Sequence, residues 1–264
     1  MKKWEKFEVD CVNHLHDVLG GAVTIEHFGM SDSTKPDIKI SGKKGYSFYI
    51  EVKHCPAQSG QFVLFPNKTT NTFDYSKDNA FPLNDSAKQI IVHMNSHFES
   101  FRDSSTKGKD IVFASCESVF ADWIIQMYRN KGIKYIITND FKLVKLDDFG
   151  KAFNITGHFR IKRSGSDDVG VTKASAVMKE IAKLGYGKSF KTEGRKLFLV
   201  SNKAKNKDIF TLNAFEYMIA HRRDNIYEIR KLSNTYHYNV IFSIKKNPKF
   251  NSYISENVLI KDVQ

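Results

Sequence analysis

Residues 37–41 and 46–53 alternate between polar and apolar side chains and are separated by Gly42-Lys43-Lys44-Gly45, a pattern that calls for a tight β-hairpin. A loop of the three residues Lys43, Lys44 and Gly45, with glycine in the left-handed conformation, pairs Gly42 with Tyr46 and sets Asp37 opposite Glu51. Successive strand side chains point to opposite faces. Glu51 and Lys53 therefore share a face, while Ile50 and Val52 enter the core. Like charges facing each other in a sheet are destabilising, more so when partly removed from water, so a fold that keeps this carboxylate pair supplies a cation. Lys53 is one candidate and a divalent metal is another. An all-oxygen ligand set suits Mg²⁺ or Mn²⁺ rather than zinc. Such an ion polarises a phosphodiester and acidifies bound water, and Lys53 orients that water or offsets charge in the transition state.

The charge balance points to the same chemistry. Lys and Arg number 41 against 29 Asp and Glu, a net charge of +12, which is the footprint of a polyanion partner. With 41% hydrophobic residues the chain is too apolar to be disordered. Its three cysteines, Cys11, Cys55 and Cys116, have neither zinc-site nor disulfide-framework spacing, and the expected compartment is the reducing cytoplasm. The charged start, MKKWEKFEVD, is unlike a secretion signal, and no apolar run is long enough to span a membrane. The absence of GxSxG, P-loop and GxGxxG patterns argues against serine hydrolases and nucleotide cofactors.

Elsewhere, the spacing of Trp4, Phe7, Cys11, Val12, Leu15, Val18 and Leu19 predicts a helix over 2–19, stopped by Gly20-Gly21, with Glu8 at the margin of its buried stripe. A strand follows near 22–28, a polar turn over 29–35, the hairpin, a short strand at 61–65 and a polar loop over 66–83. Helices are expected at 84–102 and 116–131, and buried strands at 111–114 and 133–138. Beyond about residue 150 come a basic segment from His158, a helix over 172–184, a hairpin at 190–200, a helix near 212–221 and a last strand at 237–244. Two regions are expected: 1–150 as a catalytic core and 151–264 as an α+β DNA-recognition region.

The residues Pro36-Asp37 followed by Glu51-Val52-Lys53 resemble the PD-(D/E)xK nuclease superfamily, and most closely its type II restriction endonucleases. The resemblance implies an α/β fold, a four-stranded mixed sheet flanked by helices. It implies Mg²⁺-dependent hydrolysis of double-stranded DNA to 5′-phosphates, with Mn²⁺ as a substitute ion. It makes Asp37 and Glu51 metal ligands and places Lys53 beside the attacking water. In many members a glutamate of the preceding helix joins the site, and Glu8 occupies that position; its alternative is a surface pair with Lys2 or Lys3. Gln58 and Gln61 resemble the polar follow-on of such nucleases, or are ordinary strand-edge groups.

The run Arg160, Lys162, Arg163, Ser164 and Ser166, interleaved with Phe159 and Ile161, reads as a strand with one basic face, suited to DNA contact or to plain solvation. Tyr227, Arg230, Lys231, Tyr236, Lys245 and Lys246 form a second such cluster. His93 and His97 lack the glutamate of a zinc-protease helix and read as a structural or exposed pair, and Asp147-Asp148 as a helix cap. A homodimer would match a palindromic site. The rival readings are a structure-selective nuclease of repair, recombination or transposition, and a DNA-binding module with an inactive core.

Overall fold

Helix α1 (Lys3–Leu19) forms over the expected apolar periodicity and buries Glu8, Cys11, Leu15 and Leu19, so a carboxylate sits in the stripe that faces the protein interior. The computed structural model describes residues 3–29, 35–104 and 107–264. The turn expected over 29–35 lies mostly outside them, as does Lys2. After α1 come β1 (Val23–His27), β2 (Ile38–Gly42) and β3 (Ser47–Lys53). The β2–β3 register runs from Ser41 opposite Ser47 to Ile38 opposite Ile50, and one step further sets Asp37 opposite Glu51. The Gly42 N–H donates to the Tyr46 carbonyl at 2.9 Å, and Gly45 takes φ +86°, the left-handed conformation the three-residue loop requires.

The chain continues through β4 (Ala57–Asn67), β5 (Thr72–Tyr75), α2 (Asp85–Ser96), α3 (Phe98–Arg102), β6 (Lys109–Ile111), α4 (Cys116–Asn130), β7 (Ile133–Thr138), β8 (Lys142–Lys145), α5 (Phe149–Ala152) and β9 (Phe153–Arg163). There follow β10 (Ser166–Asp168), α6 (Val171–Lys183), β11 (Ser189–Glu193), β12 (Lys196–Val200), β13 (Ile209–Leu212), β14 (Phe215–Arg223), β15 (Ile226–Leu232), β16 (Tyr236–Lys246) and α7 (Asn257–Lys261). Two compact units result, one of residues 1–160 with 238–264 and one of 161–237.

The first unit holds two five-stranded sheets. One has the order β1-β2-β3-β7-β8, mixed because β3 and β7 run parallel while its other neighbours are antiparallel. It has one strand more than the four-stranded expectation. Ile38, Ile40, Ile50 and Val52 pack with Cys11, Leu15 and Leu19 of α1 and with Leu259 and Val263 at the chain's end. The second sheet has the order β5-β4-β16-β9-β6. Its core is aromatic: Phe62, Trp123 and Phe242 meet at ring separations of 4.8 to 6.0 Å. The second unit is a sheet of order β11-β12-β15-β14-β13, with β10 on β15, and Val177 and Ile181 of α6 in its core.

Several expectations change. The segment 66–83 is not all loop, since β5 pairs with an eleven-residue β4. The helix expected over 84–102 breaks at His97, whose φ −128° and ψ 33° are not helical. The strand expected at 111–114 lies at Lys109–Ile111. Residues 212–221 form the β13–β14 hairpin instead of a helix, because Asn213 and Ala214 adopt φ +50° and +64° in a two-residue loop that sets Leu212 opposite Phe215. The Asp147 and Asp148 side chains cap no helix; they pair with Arg129 and Lys151. The division of the chain also falls differently from 1–150 and 151–264. β9 and β16 are neighbours in one sheet, so residues 238–264 return to the first unit.

Candidate active site

β3 places the central residues. Ile50 and Val52 face α1, so alternation turns Glu51 and Lys53 toward α4. Lys53 Nζ donates to Glu51 Oε1 at 2.7 Å, with the two side chains only 15% and 9% exposed. Asp37, at the mouth of the hairpin, accepts the Val52 N–H through Oδ2 at 2.7 Å. All three members of the sequence triplet therefore meet at one end of the β3 strand.

The electrostatics of the cluster are unbalanced. Burial pushes the Asp37 carboxyl up to about 7, and the charge of Glu51 adds to this, against partial relief from Lys53 and the Val52 N–H. Burial alone would lower Lys53, but Glu51, Tyr128 and Asp37 outweigh it and hold the ammonium well above its ordinary value. The other oxygen of Glu51, Oε2, is buried and makes no hydrogen bond. A buried, unsatisfied carboxylate oxygen beside a carboxyl that resists ionisation fits a hard divalent cation, which would offset both. The unsatisfied Glu51 oxygen and the Asp37 carboxyl are the groups that would hold it; among the described residues no group of three His, Cys, Asp or Glu side chains is placed to hold a metal.

Glu8 is buried, 7% exposed, rather than on the helix surface. Its Oε2 is 3.5 Å from His27 Nε2 on β1. It is near enough to Asp37 to add to the rise of that carboxyl. The Phe28 and Gly29 N–H groups both donate to the Asp37 carbonyl, at 2.8 and 3.1 Å. A methyl on Gly29 would overlap Glu8 Oε2 and His27 Nε2. Backbone therefore ties the Glu8–His27 pair to Asp37.

Sequence reasoning missed three neighbours. His27 gave no signal beyond its place in a strand. Tyr128, on α4, is 1% exposed, with its ring 6.0 Å from Lys53 Nζ and its hydroxyl 2.7 Å from Ser59 Oγ. Ser59 is fully buried on β4. Tyr128 is distant from Lys53 in sequence, and the inward direction of Ser59 depends on a bulge in β4.

Gln58 and Gln61 flank a bulge in which Ser59 and Gly60 oppose the single residue Phe242, with Gly60 at φ +106°. The extra residue brings both glutamines to the exposed side, where Gln58 Nε2 donates to Gln61 Oε1 at 3.2 Å. Arg160 and Lys162 are exposed, as expected. Arg163 faces the other way, donating to the Ser233 carbonyl at 3.1 Å and paired with Glu216. Ser164 bonds Ser233 and Thr235, and Ser166 accepts from Arg230. The second basic cluster is not continuous in the chain's units: Lys245 and Lys246 belong to the first, the rest to the second. His97 Nδ1 lies 3.0 Å from the His93 carbonyl, the structural pairing expected.

A mixed sheet carrying Asp37 opposite a Glu-x-Lys strand, behind a helix with a buried glutamate, defines a nuclease core of the PD-(D/E)xK class. A solved structure of HhaI endonuclease in complex with DNA matches with a TM-score of 0.75 and 33% identity, covering 95% of this chain and 94% of that one. The chain belongs to the type II restriction endonuclease family. No family model and no curated protein matches it. Among the described residues, no helix is long and apolar enough to cross a membrane.

Proposed function

We propose that the protein is a sequence-specific endonuclease that hydrolyses double-stranded DNA with Mg²⁺ or Mn²⁺, leaving 5′-phosphates. The observation that carries this reading is the cluster of half-buried Asp37 and Lys53 with buried Glu51, held by a 2.7 Å ion pair and a 2.7 Å backbone hydrogen bond. A divalent ion held by Asp37 and Glu51 supplies Lewis-acid polarisation of the phosphodiester and activation of water. Glu8 is the third acidic group at this end, steadied by His27. Lys53 spends one of its three N–H donors on Glu51, leaving two for the attacking water or a non-bridging phosphate oxygen. In-line attack breaks the P–O3′ bond, and the leaving 3′-oxygen takes a proton.

Charge supports the DNA partner. Residues 161–237 carry 16 Lys and Arg against 8 Asp and Glu, so eight of the twelve net positive charges fall in the second unit. DNA, the molecule bound in the HhaI structure, is the partner we assign here. Arg160, Lys162, Gln58 and Gln61 are exposed and suited to contact it, with Arg163, Ser164 and Ser166 shaping the second unit's surface. The homodimer expected from a palindromic site and the cytoplasmic compartment expected from the cysteines belong to this proposal.

The test is incubation with unmethylated plasmid and phage DNA in Mg²⁺ against EDTA, with the fragment ends mapped. Discrete, metal-dependent fragments with 5′-phosphates are expected. Smearing, cutting of branched DNA alone, or no cutting refutes sequence-specific cleavage. One chain holds one Asp37–Glu51–Lys53 set, so a dimer that cuts both strands together yields linear plasmid without accumulating the nicked form.

A further inference from the structure

Lys53 ends a four-carbon stem with large rotamer freedom, and Glu51, its ion-pair partner among the described residues, is also a residue assigned to the metal. A second contact of the ammonium is aromatic. The Tyr128 ring lies 6.0 Å below Nζ, within reach of a cation–π interaction, and it is buried, so water competes little. The ring cannot tilt freely, because its hydroxyl is held 2.7 Å from Ser59 Oγ. Ser59 is in turn fixed by the β4 bulge. Gly60 has no side chain, and a Cβ there would overlap Trp123 and touch Met127, so α4 lies directly on the bulge. Ser59 points inward to Tyr128 from the segment that presents Gln58 and Gln61 outward.

We infer that Tyr128 is a positioning residue for Lys53: its ring holds the ammonium in the geometry of attack, and the Ser59 hydrogen bond on the β4 bulge holds the ring. This rests on the nuclease reading above, but one of its readouts does not need catalysis. Ring currents from Tyr128 should move the Lys53 Cε resonance of ¹³C-lysine-labelled protein upfield of the other lysines, a signal assigned by its loss in Lys53→Ala. Tyr128→Phe should keep that shift and Tyr128→Leu should abolish it. For cleavage of a plasmid site, Tyr128→Leu should lower kcat about 30-fold with KM within two-fold, since displacing a reacting group by about 1 Å costs on the order of 10²-fold. Tyr128→Phe and Ser59→Ala should lower kcat about three-fold, because the ring stays but its tether is lost.

An ordinary Lys53 Cε shift in the wild-type protein overturns the proposal, as does a folded Tyr128→Leu with kcat within two-fold of wild type, or one whose loss is all in KM. If Tyr128→Leu does not fold, the wild-type spectrum and the Phe and Ala variants decide. Cleavage by Lys53→Ala at the wild-type rate refutes the nuclease reading instead and leaves the spectral test standing.

Discussion

Replacing Asp37 with asparagine should make the metal-free protein more stable at pH 8, although it removes a residue the chemistry needs. The Asp37 carboxyl is raised from an ordinary 3.8 to about 7, by burial first and by Glu51 second. A raised carboxyl gives its full stability below the unfolded value and loses it as pH climbs through the folded one. The window is therefore about pH 4 to 7, and the ionised form bears the cost above it. At about 1.4 kcal/mol per factor of ten in proton affinity, the ceiling is about 4 kcal/mol. Water reaching the half-buried carboxyl screens part of this, so about 1–3 kcal/mol is expected. Asparagine keeps an oxygen for the 2.7 Å bond from the Val52 N–H, so the hairpin mouth need not change. Urea unfolding in EDTA at pH 4.5 and pH 8 gives the answer, with Asp37→Asn gaining over wild type only at pH 8. Adding Mg²⁺ at pH 8 should stabilise wild type and leave the variant nearly unmoved. An equal gain at both pH values, or no gain at either, refutes the argument.

Lys53→Ala should abolish cleavage with DNA affinity within a few-fold, and should cost about 2–4 kcal/mol of stability because Glu51 is left buried without its partner; gel shifts, cleavage assays and urea melts check the three parts. Gly29→Ala should reduce cleavage more than about tenfold by displacing Glu8 and His27, and unchanged cleavage would remove Glu8 from the site. Arg160→Ala and Lys162→Ala should each lower the salt-dependence slope of DNA binding by about one. Arg163→Ala should leave that slope alone and reduce stability by about 1 kcal/mol through the loss of its Glu216 pair, read by thermal unfolding.

The candidate site was the most legible part of the sequence because two local rules fixed it. Gly45 selected the loop, the loop selected the register, and period-two alternation then put Asp37, Glu51 and Lys53 together. Elsewhere the local signals conflicted with the fold. Leu212, Phe215 and Ile219 have helical spacing, but burial of Tyr217 and Ile219 follows the two-residue period of β14, and the turn uses alanine at a position normally marked by glycine. β4 looked short because the bulge at Gly60 interrupts its alternation. His27 and Tyr128 acquire their roles only from tertiary packing, which no local pattern encodes. The return of residues 238–264 to the first unit is likewise a pairing of distant strands.

That return has a consequence for how such a protein can change. The chain departs along β9 and comes back along the adjacent β16, with the rings of Phe159 and Tyr238 stacked at 6.2 Å. The ends of the 161–237 segment are thus already side by side before anything is inserted between them. Closing so short a gap demands almost nothing of whatever fills it, and lengthening the filling raises the entropy of closure only logarithmically. The β9–β16 junction is a graft point: a whole domain can be exchanged or trimmed there while the strand carrying Glu51 and Lys53 keeps its neighbours.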